Sequence, residues 1–122
     1  MPPDPKSAAQ WQIWQVKWDH EDGTSKDRPA LLFSPSINNL VNDYWFLKIT
    51  GEDHPSPHKF LLEERDSAFA STGLKKDSYF YPEKVQKKKP NDLLYYRGYL
   101  GPLTIWALDR LIRAAVNFQR PY

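Results

Sequence analysis

The 122-residue chain has no cysteine, a single methionine, three histidines and only five glycines. Without cysteine there is no disulfide framework, no thiolate zinc site and no sulfur nucleophile, and a reducing cytoplasm is the expected compartment. No apolar run approaches the roughly 20 residues needed to cross a bilayer, so no membrane partner is expected. The opening MPPDPKSAAQ is Pro-rich and polar and lacks the apolar stretch of a signal peptide. Residues 1–10 are expected as a flexible tail and 11–122 as one domain, a length that supports one core. Signature motifs are also missing: there is no Gly-rich phosphate loop, no G-x-S-x-G and no H-E-x-x-H. His54 and His58 are four apart, but Pro55 and Pro57 forbid the helix that would bring both imidazoles to one metal, so no metal or cofactor is expected.

Charge is present and unevenly spread. The net charge is +2, yet residues 1–70 hold 7 Lys or Arg against 11 Asp or Glu, and residues 71–122 hold 10 against 4. In the basic half, Lys75, Lys76, Lys84, Lys87, Lys88 and Lys89 flank the aromatic Tyr79, Phe80 and Tyr81. That mixture suits a phosphate backbone with stacked bases, and equally a solvated lysine-rich loop.

Patterning supplies the elements. Trp14, Val16 and Trp18 alternate with Gln15 and Lys17, the period of a half-buried strand over residues 13–18, and Pro29 to Ser34 is a second strand. Residues 19–27 between them carry four carboxylates and one glycine and read as a polar loop, with Arg28 where the chain re-enters the sheet. Pro35 to Asn42 is turn chemistry, Trp45 to Thr50 a third strand, and Gly51 to Pro57 an exposed loop. His58 to Leu62 is a fourth strand, Glu63 to Ala70 a helical turn and Ser78 to Tyr81 a fifth strand, followed by a Lys-rich connector. Ile105, Leu108, Leu111, Ile112 and Ala115 then repeat at three- and four-residue spacing opposite Arg110, Arg113 and Asn117, predicting an amphipathic helix with Thr104 as N-cap. The fold class is mainly β with a C-terminal α-helix, a small curled antiparallel sheet or barrel plugged by that helix.

The residues that could carry chemistry are Arg28 at its loop-to-strand junction, Thr50 at a strand end, and Lys48 two residues earlier. A guanidinium is permanently cationic and presents a planar fork of donors, and a hydroxyl donates to a phosphate oxygen, so neighbouring strands could bring the two onto one phosphate. The same residues also fit a surface ion pair between Arg28 and Asp27 and an ordinary strand terminus at Thr50.

The order of IWQVKWD, Gly23, RPALLFSP from Arg28, LKIT ending at Thr50, TGLKKDS from Thr72, RGYLGPLT from Arg97 and a closing helix resembles the MazF/PemK toxin family from about Ile13 to Val116. The resemblance implies an SH3-like barrel of the MazF, PemK and CcdB kind. It also implies a homodimer, the toxin of a type II toxin–antitoxin pair, and metal-independent, sequence-selective cleavage of single-stranded mRNA. In such enzymes the ribose 2′-hydroxyl attacks the adjacent phosphorus to leave a cyclic phosphate and a 5′-hydroxyl. Arg28 matches the family's catalytic Arg before Pro, and Thr50 its catalytic Thr. Lys26, Lys48, Lys75, Lys76 and Lys87 are the lysines expected to contact RNA, and the expected protein partner is an antitoxin with an acidic C-terminal tail.

The chain departs from the family pattern at Trp11-Gln12, where many members have Gly-Asp, at Ser25, where many carry Glu, and at Pro82, where some place an acid. The proton acceptor is therefore open among His20, Glu21 and Asp27, with His20 favoured because imidazole titrates near working pH. Two rival expectations are a CcdB-like gyrase poison acting through its C-terminal helix, and a catalytically silent barrel that binds protein or RNA.

Overall fold

The computed structural model describes residues 3–35 and 39–119, with side chains of the C-terminal helix described as far as residue 115. Six described strands, β1 (Gln12–Asp19), β2 (Ser25–Leu32), β3 (Tyr44–Thr50), β4 (Phe60–Leu62), β5 (Ser78–Lys88) and β6 (Leu93–Tyr99), precede helix α1 (Pro102–Gln119). They form one antiparallel sheet in the order β4-β5-β3-β2-β1-β6.

Both faces of this sheet are covered, which explains why Ala30, Leu31 and Leu32 form an unbroken apolar run. Ile13, Leu31, Leu47, Ile49 and Phe80 pack on one face with Leu108 and Ile112 of α1. Their neighbours Trp14, Val16, Trp18, Ala30, Leu32 and Phe46 form a second core on the other face. That second core recruits Ala8, and the Tyr44 hydroxyl donates to the Pro5 carbonyl at 2.7 Å. Pro5 and Ala8 thus touch the sheet, while Asp4, Lys6, Ser7 and Ala9 between and beside them are exposed. No helix among the described residues is long and apolar enough to cross a membrane.

The sheet curls until its ends meet. The turn before β5 lies against β6 so closely that a Cβ on Gly73 would sit 2.1 Å from the Arg97 carbonyl oxygen, and one on Gly98 would sit 2.2 Å from that of Ser71. Gly73 also has φ +69°, so two constraints select glycine there. Near the opposite rim the Gln86 side chain donates to the Asp19 carbonyl at 2.8 Å and accepts from the Asp19 amide at 3.1 Å, joining β5 to β1 as a substitute ladder rung.

Several boundaries differ from the sequence expectation. The hairpin between β1 and β2 is tight, closed by His20 and Thr24, and Lys17 pairs with Asp27 and Asp19 with Ser25. Arg28 therefore sits inside β2, opposite Val16, rather than at a loop junction. The Lys-rich segment is strand rather than connector: β5 runs to Lys88, passing Pro82 at an irregularity where Leu47 pairs with Val85 and Lys48 with Tyr81. This bulge exempts Pro82 from supplying a ladder N–H. Strand β6 has no counterpart among the expected elements, and residues 63–69 form turns instead of a helical turn. Helix α1 begins at Pro102 at its first position, with the Ile105 amide bonded to the Gly101 carbonyl at 3.0 Å, so Thr104 is a buried first-turn residue and not the N-cap. The expected apolar face holds at Leu108, Ile112 and Ala115, all buried, and the Asn117 side chain lies outside the described residues.

Candidate active site

Pairing of Ala30 with Lys48 fixes the register of β2 on β3. Two residues further along each strand, that register brings Arg28 and Thr50 together at the rim of the sheet, on the face that carries Ala30 and Lys48. The Arg28 Nη1 donates to Thr50 Oγ1 at 3.4 Å. Thr50 is only 6% exposed, and its Oγ1 also accepts the Glu52 backbone N–H at 3.2 Å. A hydroxyl has two acceptor lone pairs and one proton. With both lone pairs engaged, the Thr50 proton is left to donate outward. The Arg28 Nε is buried and has no hydrogen-bond partner among the described residues, and of the terminal nitrogens only Nη1 bonds to Thr50, so guanidinium donors remain for an oxygen in the cavity that Arg28 lines.

Arg28 and Thr50 line a cavity of about 430 Å³ together with Lys26, Lys75, Lys76 and Arg97, against two carboxylates, Asp27 and Glu52. Gly51 admits Lys76: a Cβ at residue 51 would lie 2.6 Å from Lys76 Cε and 3.0 Å from Nζ, so the lysine stem crosses the backbone beside Thr50. Arg97 is held by neutral acceptors, the Gln15 Oε1 and the Gly73 carbonyl, each at 2.8 Å, so its charge is not cancelled. Among the described residues none of these cations forms an ion pair with a carboxylate. The field is felt at Lys48, whose pKa is lowered by burial first, then by the charges of Arg28 and Lys84, with Glu52 opposing. A concave, net positive pocket of this kind concentrates anions.

The structure thus brings together Arg28, Thr50, Lys26, Lys75 and Lys76, and sets Lys48 beside them. His20 lies elsewhere, in a cavity of about 270 Å³ with Glu21, Lys48, Glu83 and Lys84. Lys87 rests over the Trp45 ring at 4.8 Å and lines neither cavity. Arg97 and Glu52 were not singled out from sequence. Arg97 lies on the unanticipated strand β6, although it opens the RGYLGPLT segment, and Glu52 is in a loop whose shape no pattern specifies. His54 pairs with Glu52 at 3.1 Å, and His58 lies 3.4 Å from Glu83. Among the described residues no three His, Asp or Glu side chains gather as a metal site.

No protein-family model matches the chain, and no curated protein sequence matches it. Solved structures do. A mycobacterial endoribonuclease in complex with its cognate antitoxin aligns with TM-score 0.69 over 93% of this chain and 99% of that one, at 17% identity. The Mycobacterium tuberculosis toxin MazF-mt6 aligns with TM-score 0.68 over 87% and 96%, at 20% identity. The chain has the MazF fold. MazF in the MazE–MazF complex from Deinococcus radiodurans gives the same result, with TM-score 0.64 over 90% and 95% at 11% identity. The MazF architecture therefore extends over nearly the whole chain.

Proposed function

We propose that this chain is a toxin endoribonuclease that cleaves single-stranded mRNA at selected sequences and is neutralised by a cognate antitoxin. The observation that carries the reading is the convergence of the Arg28 guanidinium and the Thr50 hydroxyl on one basic cavity, each with donor capacity unspent. Mycobacterial neighbours of the same fold are named as endoribonucleases, and one is bound to its antitoxin, which supports the substrate class and the partner.

In the reaction, the ribose 2′-oxygen attacks the adjacent phosphorus, the P–O5′ bond breaks, and a 2′,3′-cyclic phosphate and a 5′-hydroxyl result. The 2′-hydroxyl proton passes to a carboxylate of the cavity wall, Asp27 or Glu52, and the departing 5′-oxygen takes one from water. Negative charge grows on the non-bridging oxygens as the new bond forms. Arg28 and Thr50 meet that charge with preoriented donors, each worth about 3–4 kcal/mol in comparable anion holes. Because Arg stays protonated, Arg28 stabilises charge and does not act as base. Lys26, Lys75, Lys76 and Arg97 hold the flanking phosphates.

The same positive cavity fits an acidic antitoxin segment, which would inhibit by covering it, and the active unit is a homodimer. The test is incubation of the purified protein with single-stranded RNA in excess chelator. Cleavage leaving 5′-hydroxyl ends is the expected result, and intact RNA over a range of sequences would overturn the reading.

A further inference from the structure

The Thr50 hydroxyl is held in orientation by a backbone turn, and that turn is held by a residue on another strand. Strand β3 ends at Thr50, and residues 51–54 belong to no strand, so no ladder fixes the Glu52 N–H that donates to Thr50 Oγ1. Tyr81 does this instead. It lies on β5 opposite Lys48, is 2% exposed, and spends both capacities of its hydroxyl on this turn. The phenol donates to the Glu52 carbonyl at 2.7 Å and accepts from the His54 N–H at 2.7 Å.

We infer that Tyr81 is a positioning residue for the proposed cleavage, holding the Glu52–His54 turn so that the Thr50 hydroxyl presents its proton to the phosphate. This rests on the ribonuclease reading and deepens it. The chain of contacts is short: Tyr81 Oη to the Glu52 peptide, the Glu52 N–H to Thr50 Oγ1, and Thr50 Oγ1 to Arg28 Nη1. Without the phenolic oxygen the aromatic ring still fills its place in the sheet, but the turn loses both bonds to its Glu52 and His54 peptide groups from β5 and keeps the exposed ones from Lys59 to the Asp53 carboxylate and the His54 carbonyl. The Glu52 N–H then drifts from Thr50, and the threonine proton is free to rotate away from the substrate. Pro55 follows immediately and supplies no N–H of its own, so it offers no replacement donor.

The deciding experiment is a double-mutant cycle with Tyr81→Phe and Thr50→Ala, read as kcat and KM on one single-stranded RNA. Tyr81→Phe is expected to lower kcat about tenfold, the size of one lost charge-stabilising hydrogen bond, with KM within about twofold. In the Thr50→Ala background the same change should cost nothing further. An equal loss in both backgrounds would mean that Tyr81 serves the fold only, and would overturn the inference. Amide exchange and the Glu52 amide proton shift provide a readout that needs no activity. Both Tyr81→Phe and Thr50→Ala should move that shift, and the Glu52 and His54 amides of the wild-type chain should be protected. Failure of the wild type to cut RNA while these amides respond as expected would sink the ribonuclease reading and leave the positioning intact. Unprotected amides at both residues would overturn the positioning whatever the activity, and would decide the matter even if Tyr81→Phe did not fold.

Discussion

The two halves of strand β2 live under opposite rules. Ala30, Leu31 and Leu32 are completely buried between two cores, whereas Ser25, Lys26 and Asp27 are exposed and Arg28 is half-buried at the cavity wall. Yet one register serves both, because side chains alternate with a period of two and a slip of one residue would turn Arg28 to the other face, away from Thr50. The apolar half of the strand is therefore the ruler that sets the chemistry of the polar half. Stability and site geometry are coupled through the ladder, while the individual donors at the rim contribute little to the fold.

Substitutions in the two halves should separate these roles, and the largest change is expected in the sealed half. Leu31→Ala removes a fully buried side chain of the helix-facing core and should cost about 2–5 kcal/mol of stability in denaturant unfolding. A cost below about 1 kcal/mol would mean that the core adjusts and does not fix the register. At the rim, Thr50→Ala should lower kcat roughly 100- to 1000-fold while lowering stability by only about 1 kcal/mol, the cost of leaving the Glu52 N–H without its acceptor. Thr50→Ser keeps the hydroxyl and should retain most activity. A serine variant as poor as alanine would remove the hydroxyl from the reaction. Lys75→Gln with Lys76→Gln should leave the melting temperature unchanged and flatten the salt dependence of RNA binding by about 0.7 per lost phosphate contact. An unaltered slope would show these lysines to be merely solvated.

The smallest effect is expected where the halves meet. Lys48 faces Arg28, and its pKa is lowered by burial and by positive neighbours. The folded chain therefore binds fewer protons at Lys48 than the unfolded chain, and stability gains as pH rises through the folded value toward the ordinary lysine range. Lys48→Met should abolish that rise and leave stability at neutral pH equal or slightly higher. Loss of stability would mean that the ammonium has a favourable partner after all.

The legible parts of this fold were those with strong periodicity. Alternation in β1 and the apolar stripe of α1 are such parts; the ends of β2 and β3 left a meeting of Arg28 with Thr50 as one of two readings, and the resemblance to the MazF/PemK pattern favoured it. The illegible parts depend on contacts between distant residues. Strand β6 shows no alternation because its residues are buried irregularly where the sheet closes, and Gly98 is dictated by the backbone of Ser71 rather than by β propensity. Lysine-rich β5 reads as a loop until one sees that Lys88 is 3% exposed and paired with Asp19 at 3.2 Å. Arg97 was lost with β6, and the contact of Pro5 with the sheet runs through the Tyr44 hydroxyl, 39 positions away. His20 was favoured as base on the chemistry of imidazole alone, which carries no information about which cavity the hairpin tip overhangs.

The most direct measurement is the rate and product chemistry of RNA cleavage by folded Arg28→Ala beside the wild type, in excess chelator, with melting temperatures matched. The account predicts a cyclic phosphate and a 5′-hydroxyl from the wild type, and from the variant a rate lower by at least about 100-fold with an unchanged fold. Arg28→Ala that cuts the same RNA at the wild-type rate would contradict it.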